Sequence, residues 1–270
     1  MSAGRKNDKN QSKPYIWVEM DTAGLKSKRI AQLVEENHIH AYVLYYYGIH
    51  FSHYSEHTLE QVCYERGLRV EQVIKDLESQ AHQPQEQPPL NTYPVDLILE
   101  YLRHAHYHFI KEKLPYISRL VADFQAGHDG YKMLERDLKV VFPLFVEDFI
   151  HHIYEEEDTL FTYIQVLDKA VKGQYHPARL FYMLENNSVQ RFALEHEAHD
   201  DEMEGIRHIT NNYHLTTETP LPVKVIFREL QDFEKNLIVH ARVENEILFP
   251  KALALEAKVK QLFFERSRNN

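Results

Sequence analysis

Two segments of the chain place a histidine and a glutamate four residues apart, and Leu-Phe follows at the same distance. They are HIYEEEDTLF (152–161) and HARVENEILF (240–249). Residues four apart share one face of an α-helix, and both pairs fall within an apolar stripe. The stripes read Phe145, Phe149, His152, Glu156, Leu160 and Phe233, Leu237, His240, Glu244, Leu248. A buried carboxylate is costly unless it is paired or binds metal, so the pattern predicts helices whose apolar faces meet around a shared polar site.

A single His-x-x-x-Glu pair on a helix is usually a solvated ion pair. Two copies with the same continuation, both inside the buried stripe, favour metal ligands over that interpretation. The remaining alternative is a purely structural bundle whose core histidines make hydrogen bonds and bind no metal.

Composition limits the classes of protein. The chain has 270 residues, only 8 Gly and 11 Pro, and no long β-branched runs, which favours an all-α fold. A formal charge of −10 disfavours nucleic acid or an anionic membrane as partner. The sequence shows no membrane-spanning apolar run and no signal-peptide core. With Cys63 as the only cysteine, we expect a cytoplasmic protein without an internal disulfide or a cysteine-based metal site.

The chain divides by composition into four regions. We predict a flexible tail (1–26), a small helical N-terminal domain (27–78), a Pro- and Gln-rich linker (79–94) and a helical bundle (95–265). Within the last region, four long amphipathic segments are separated by breaks at 126–130, 172–177 and 216–222. Long amphipathic helices joined by modest loops predict a four-helix bundle.

A metal site in a bundle core draws ligands from all its helices. In the first helix His106 lies on the stripe, whereas His104 and His108 lie on the other face and are expected to be exposed or outside the first ligand shell. In the third helix the stripe contains both His196 and His199, with Asp200 beside them, and periodicity does not decide between the two histidines.

The predicted ligands are therefore four histidines and two glutamates: His106, His152, Glu156, His196, His240 and Glu244. Carboxylates with imidazoles and no thiolate suit iron or manganese better than zinc. Two bridging glutamates and two histidines per ion leave two non-haem irons under-coordinated. An oxo or hydroxo bridge and an open position for dioxygen or nitric oxide are then expected, as in a hemerythrin-like di-iron site.

These segments resemble the iron–sulfur cluster repair di-iron proteins, the repair-of-iron-centres family, over residues 27 to about 255. HARVENEILFPKAL is similar to the family's last ligand helix, HHIYEEEDTLF to its second and LEHEAHDDEMEGIRHITNNY to its third. The likeness of the third helix favours His196 over His199. The likeness of RHAHYHFIKEKLP to the first helix, with its ligand eight or nine residues before the proline, favours His106.

The N-terminal region resembles the short N-terminal domain of that family. AYVLYYYGIHFSHYSEHTLEQVCYERGL follows its Gly-Ile-x-Phe, Thr-Leu and later Cys pattern, but Ser52 to Ser55 replace the adjacent cysteines of many members. The thiol chemistry assigned to that domain is therefore not expected here. His50, His53 and His57 offer a second metal site as an alternative, and surface histidines are the favoured interpretation.

The resemblance implies repair or protection of iron–sulfur clusters damaged by nitrosative or oxidative stress, with labile iron as the donated or redox-active species. Damaged iron–sulfur proteins would then be the partners, and dioxygen or nitric oxide would be the small ligands. A homodimer is possible. Two alternatives are a hemerythrin-like dioxygen or nitric oxide sensor and a nitric oxide reductase-type enzyme. No catalytic residue is assigned, and the acidic run 155–158 is interpreted as a solvated helix face.

Overall fold

The structure, a computed structural model, describes residues 22–81, 90–127, 129–198 and 201–268. The described residues form helices and their connections, with a single isolated β-bridge between Arg29 and Thr58. The predicted all-α bundle is therefore confirmed. Within these ranges no helix combines the length and apolar character needed to cross a membrane.

Five short helices precede the bundle. They are α1 (Thr22–Ser27), α2 (Ile30–Glu36), α3 (Ile39–Tyr46), α4 (Leu59–Glu65) and α5 (Val70–Ala81). The first of them lies almost entirely inside the stretch 1–26 that the sequence assigns to a flexible tail. Within that stretch, Leu25 packs against the core and Lys26 pairs with Glu71 at 2.7 Å.

Four helical runs form the bundle. The first consists of α6 (Val95–His108), a π-helical segment (Phe109–Lys113) and α7 (Leu114–Asp123). The second consists of α8 (Lys132–Glu156), a π-helical segment (Glu157–Phe161) and α9 (Thr162–Val171). The third contains α10 (Pro177–Asn186), α11 (Val189–Ala198) and α12 (Glu204–Ile209). The fourth contains α13 (Leu221–Val243), a π-helical segment (Glu244–Leu248) and α14 (Phe249–Arg268). The runs end at or near the predicted breaks.

The third run is not the one long helix that the sequence predicts. It breaks after Asn186, where Asn187 is extended (φ −130°, ψ 152°). The Asn187 side chain donates to the Met183 carbonyl at 3.0 Å, and Asn186 donates to Tyr182 at 2.8 Å. Asparagine side chains compete in this way for helical carbonyl groups, so the Asn-Asn-Ser sequence ends α10. His199 and Asp200 lie outside the described residues.

A π-helical segment begins at or shortly after a predicted ligand in three of the runs. The first begins at Phe109, three residues after His106. The second begins immediately after Glu156, and the third begins at Glu244 itself. Such wide turns are rare and frequent at functional sites, because they change the phase of the helix by one residue. In the first run the apolar positions accordingly step by five, from Phe109 to Leu114.

The buried residues form two apolar cores. One contains Phe109 of the first π-helical segment, Phe149 of α8 and Phe233 of α13, together with residues of α7. The other contains Leu102 of α6 and Leu160 of the second π-helical segment, together with residues of α9 and α14. Along each long run the predicted ligands fall between the two sets: His106 follows Leu102 and precedes Phe109. The fold therefore contains a polar layer between two apolar cores.

The N-terminal helices share the first of these cores with the bundle. Ile30, Leu44 and Leu59 belong to the same buried cluster as Phe142 and Phe233 of the bundle helices. Cys63 is buried in that cluster as a free thiol, and burial raises its pKa. It packs there as a small apolar side chain.

A buried carboxylate near this junction makes stability depend on pH. Glu229 is 2% exposed, 3.8 Å from Lys113, and burial raises its pKa from 4.5 to about 7. Because the folded pKa lies above the unfolded one, the native state binds the proton more tightly. The stabilising contribution is complete below the unfolded pKa and is lost as the pH rises through about 7.

We therefore expect Glu229→Gln to match the parent in unfolding free energy near pH 4.5 and to exceed it at pH 8. The difference should approach about 3 kcal/mol, since each pKa unit corresponds to about 1.4 kcal/mol. Denaturant unfolding of metal-free protein across this pH range measures it, with the exposed Glu147→Gln as control. A difference that stays constant from pH 5 to pH 8 would contradict the assignment.

Candidate metal centre

The polar layer brings together predicted ligands from three of the four helical runs. One donor atom from each of His106, Glu156, His240 and Glu244 lies within 4.8 Å of the others, and this is the only group of three or more such ligands within the described part of the chain. His106 and Glu244 are 1% exposed and Glu156 is 7% exposed. The site therefore contains two largely buried carboxylates.

The spacing of the donor atoms suits metal coordination. With metal–ligand bonds of about 2.1 Å, neighbouring ligands of an octahedral ion lie about 3.0 Å apart. The Nε2 atoms of His106 and His240 are 3.0 Å apart, and His106 Nε2 lies 3.5 Å from Glu156 Oε2. His240 Nε2 lies 3.2 Å from Glu244 Oε1. These four donors fit around one ion, which we call the inner position.

The other oxygen of Glu244 faces a different histidine. Glu244 Oε2 lies 3.0 Å from His196 Nε2, whereas Oε1 faces His240. The rings of His196 and His152 are 6.2 Å apart between centroids. A carboxylate with each oxygen directed at a separate histidine has the geometry of a bridge between two ions. We call the His152 and His196 side the outer position.

Glu156 provides a second test of fit. Its Oε2 faces His106, while its buried Oε1 accepts no hydrogen bond from the described residues. An unsatisfied buried carboxylate oxygen is costly, and a cation at the outer position would satisfy it. The residues present therefore fit a pair of ions bridged by Glu156 and Glu244.

The charges of the layer support the same conclusion. Burial raises the pKa of Glu156 well above its usual range, and the neighbouring Glu244 adds to the shift. Burial would also raise the pKa of Glu244, but His240 and His196 hold it well below the usual range. Burial lowers the pKa of His106 to about 3, helped by His240. The buried imidazole is thus neutral, the form that binds metal.

The three histidines of the first helix lie in different surroundings. His106 is buried in the layer, whereas His104 is exposed and His108 pairs with Glu112 at 2.7 Å on the helix surface. His152 is the most open of the predicted ligands, with 38% of its side chain exposed. His50 is half-buried and His53 and His57 are exposed, so the surface interpretation of these three histidines agrees with their positions.

Glu157 is a residue of the site that the sequence did not reveal. His106 donates from Nδ1 to Glu157 Oε1 at 2.7 Å, and Arg103 Nε lies 4.0 Å from the other carboxylate oxygen. A carboxylate on the second ring nitrogen fixes the tautomer and raises the basicity of a metal-binding histidine. Glu157 belongs to the acidic run interpreted as a solvated face, and the π-helical segment that begins with it follows the ligand Glu156 directly.

We expect Glu157→Ala to weaken iron binding by roughly 10- to 100-fold, the usual effect of losing such a partner. Competition against a chelator of known affinity measures it. The neighbouring exposed carboxylate provides a control, and Asp158→Ala should change the affinity little. Equal affinities for the parent and Glu157→Ala would show that Glu157 does not orient His106.

An apolar wall closes the inner position. The ring of Phe161 stacks on His106 with centroids 5.5 Å apart, and Phe109 lies edge-on to His240 at 5.7 Å. The outer position instead borders a cavity of about 390 Å³, lined in part by His152, Glu156 and His196. The two positions therefore differ in their access to solvent.

The sequence of the chain is similar to those of curated proteins that share one name. No protein-family model matches it. Curated proteins of Citrobacter koseri and Escherichia coli, each named Iron-sulfur cluster repair protein YtfE, are 24% identical to it over 199 residues. The matched region covers 74% of this chain and 84% of each relative. The chain is thus a distant homologue of iron–sulfur cluster repair proteins, which supports the resemblance noted in the sequence.

Proposed function

We propose that the chain is a di-iron protein that helps to repair or protect iron–sulfur clusters damaged by nitrosative or oxidative stress. The observation that carries the proposal is the buried Glu244, whose two oxygens face His240 and His196 separately. The distant homologues are iron–sulfur cluster repair proteins, and this supplies the class of target.

The proposed ligands divide between two ions. His106 and His240 would hold the inner ion, His152 and His196 the outer one, and Glu156 and Glu244 would bridge them. The pair would supply one-electron redox chemistry and the iron that is donated. Glu157 holds the proton on Nδ1 of His106, so that Nε2 keeps its lone pair for the metal. Phe109 and Phe161 exclude water from the inner side.

The cavity at the outer position favours a second candidate function, the reversible binding of dioxygen or nitric oxide. It is open to solvent on the side of His152, and small diatomic ligands would reach the outer ion through it. A binding protein would keep its iron while the ligand enters and leaves, whereas a repair protein would give iron up.

Iron transfer distinguishes the two functions. The ferrous-loaded chain is incubated without oxygen with an apo iron–sulfur protein, sulfide and a thiol, and both the acceptor's cluster absorbance and the iron left on the chain are followed. Repair predicts cluster formation matched by iron loss, even when a chelator traps free ferrous ions. Reversible spectral changes with nitric oxide and no iron loss would favour the binding function instead.

A further inference from the structure

The outer position has a third carboxylate that the predicted ligand set does not contain. Glu202 Oε1 lies 3.8 Å from His152 Nε2, and 27% of the Glu202 side chain is exposed. Octahedral ligands lie between about 3.0 Å apart (neighbouring) and about 4.2 Å apart (opposite), for bonds of about 2.1 Å. The observed distance falls within that interval, so Glu202 and His152 can bind the same ion.

The surroundings of Glu202 also point to a cation. Glu202 lines the 390 Å³ cavity together with His152, His196 and Glu156. Glu156 carries a buried Oε1 that accepts no hydrogen bond from the described residues. Glu156, Glu202 and Glu244, with His152 and His196, all line this cavity and form a donor set for a hard or borderline divalent ion.

An ion-paired arginine holds the Glu202 segment in place. Arg207 of α12 contacts both Asp201 and Glu234, and Glu234 belongs to α13. These ion pairs link the residues that precede α12 to α13, and Asp201, Arg207 and Glu234 all line the cavity. Glu202 is therefore held at the cavity by its neighbours' ion pairs and not by its position on a helix.

We propose that Glu202 is an additional ligand of the outer ion, and that this ion exchanges with solution through the cavity while the inner ion is retained. The inference rests on the proposed di-iron function and identifies which iron is donated. The inner ion lies beneath Phe161 and beside a histidine whose side chain is 2% exposed, whereas the outer ion lies beside a histidine that is 38% exposed. His152, His196, Glu202, Glu156 and Glu244 would hold the outer ion, and its release as Fe²⁺ would need no change of oxidation state.

The test is the kinetics of iron release from the full chain to a ferrous chelator. The parent should release iron in two phases of equal amplitude. Glu202→Gln should accelerate the fast phase about 10-fold, the lower range for loss of a metal-site partner, and leave the slow phase unchanged. Glu147→Gln, the same charge change at an exposed position of α8, should leave both phases as in the parent.

Glu157→Ala gives the complementary result, because Glu157 contacts the inner ligand His106 and should accelerate only the slow phase. The far-ultraviolet circular dichroism of each variant checks that the helices are intact. If Glu202→Gln changes neither phase or both phases in a parent that binds two irons, this inference fails and the di-iron function stands. If the parent binds no iron, the proposed function fails and the inference fails with it.

Discussion

The double variant Glu156→Gln, Glu244→Gln should bind almost no iron, against about two irons per chain for the parent, as expected of a carboxylate-bridged pair in a helical bundle. Both glutamates are buried, and the two oxygens of Glu244 face different histidines. Glutamine has nearly the same shape but has neither the charge nor the second acceptor oxygen that a bridge needs. Iron is measured by elemental analysis after anaerobic loading and gel filtration.

Loss of iron in this variant is not expected to reflect unfolding. The layer places two carboxylates together without metal, which raises the pKa of Glu156 as a consequence of burial and of the neighbouring Glu244. Ionised Glu244 is stabilised by His240 and His196 in the metal-free layer, so we expect the metal-free variant to lose some stability but to keep its helices. Far-ultraviolet circular dichroism checks this. The exposed pair Glu147→Gln, Glu185→Gln is the control, and two irons on the double site variant would refute the bridging assignment.

Phe161→Ala should cause the largest loss of stability among the substitutions considered, roughly 3–5 kcal/mol for a fully buried phenylalanine. The Phe161 ring is inaccessible to solvent, lies at 8° to the His106 ring and packs under Arg103. Its removal leaves a cavity and admits water to the inner position. Denaturant unfolding of metal-free protein measures the loss.

The control for this prediction is an exposed phenylalanine. Phe181 is 52% exposed, so Phe181→Ala should cost within about 1 kcal/mol. In the loaded protein, Phe161→Ala should also accelerate the slow phase of iron release. A loss of stability no larger than that of Phe181→Ala would mean that the apolar wall does not support the site.

The sequence predicts the helical bundle and the contents of the polar layer because both depend on helical periodicity. His152, Glu156, His240 and Glu244 lie on stripes that alternate with buried aromatic residues, and any α-helix brings such positions to one face. The same rule selects His106 over its exposed neighbour His104. That these residues bind two irons remains a proposal.

The remaining features arise where regular periodicity ends. The π-helical segments have no distinctive local composition, and they place Glu157 against His106 although its neighbours in the acidic run are exposed. Glu202 lies between α11 and α12, where helical phase cannot place a side chain. The helix at 22–27 makes contacts distant in sequence, through Leu25 and Lys26, which local sequence patterns do not reveal.

The asymmetry of the centre links the fold to the proposed function. His106 lies beneath Phe161 and is 1% exposed, whereas His152 lines a cavity of about 390 Å³ and has 38% of its side chain exposed. A site built to hold both ions permanently would be enclosed on both sides. An enclosed ion and an accessible ion, bridged by the same two glutamates, suit a protein that gives up one iron and keeps its fold.

The most direct test of this account is the iron content and Mössbauer spectrum of the parent chain loaded with ⁵⁷Fe. The account predicts about two irons per chain in one spin-coupled pair, because shared carboxylates hold the two ions within bridging distance. A single iron, two magnetically isolated irons, or a preference for one zinc ion would contradict it.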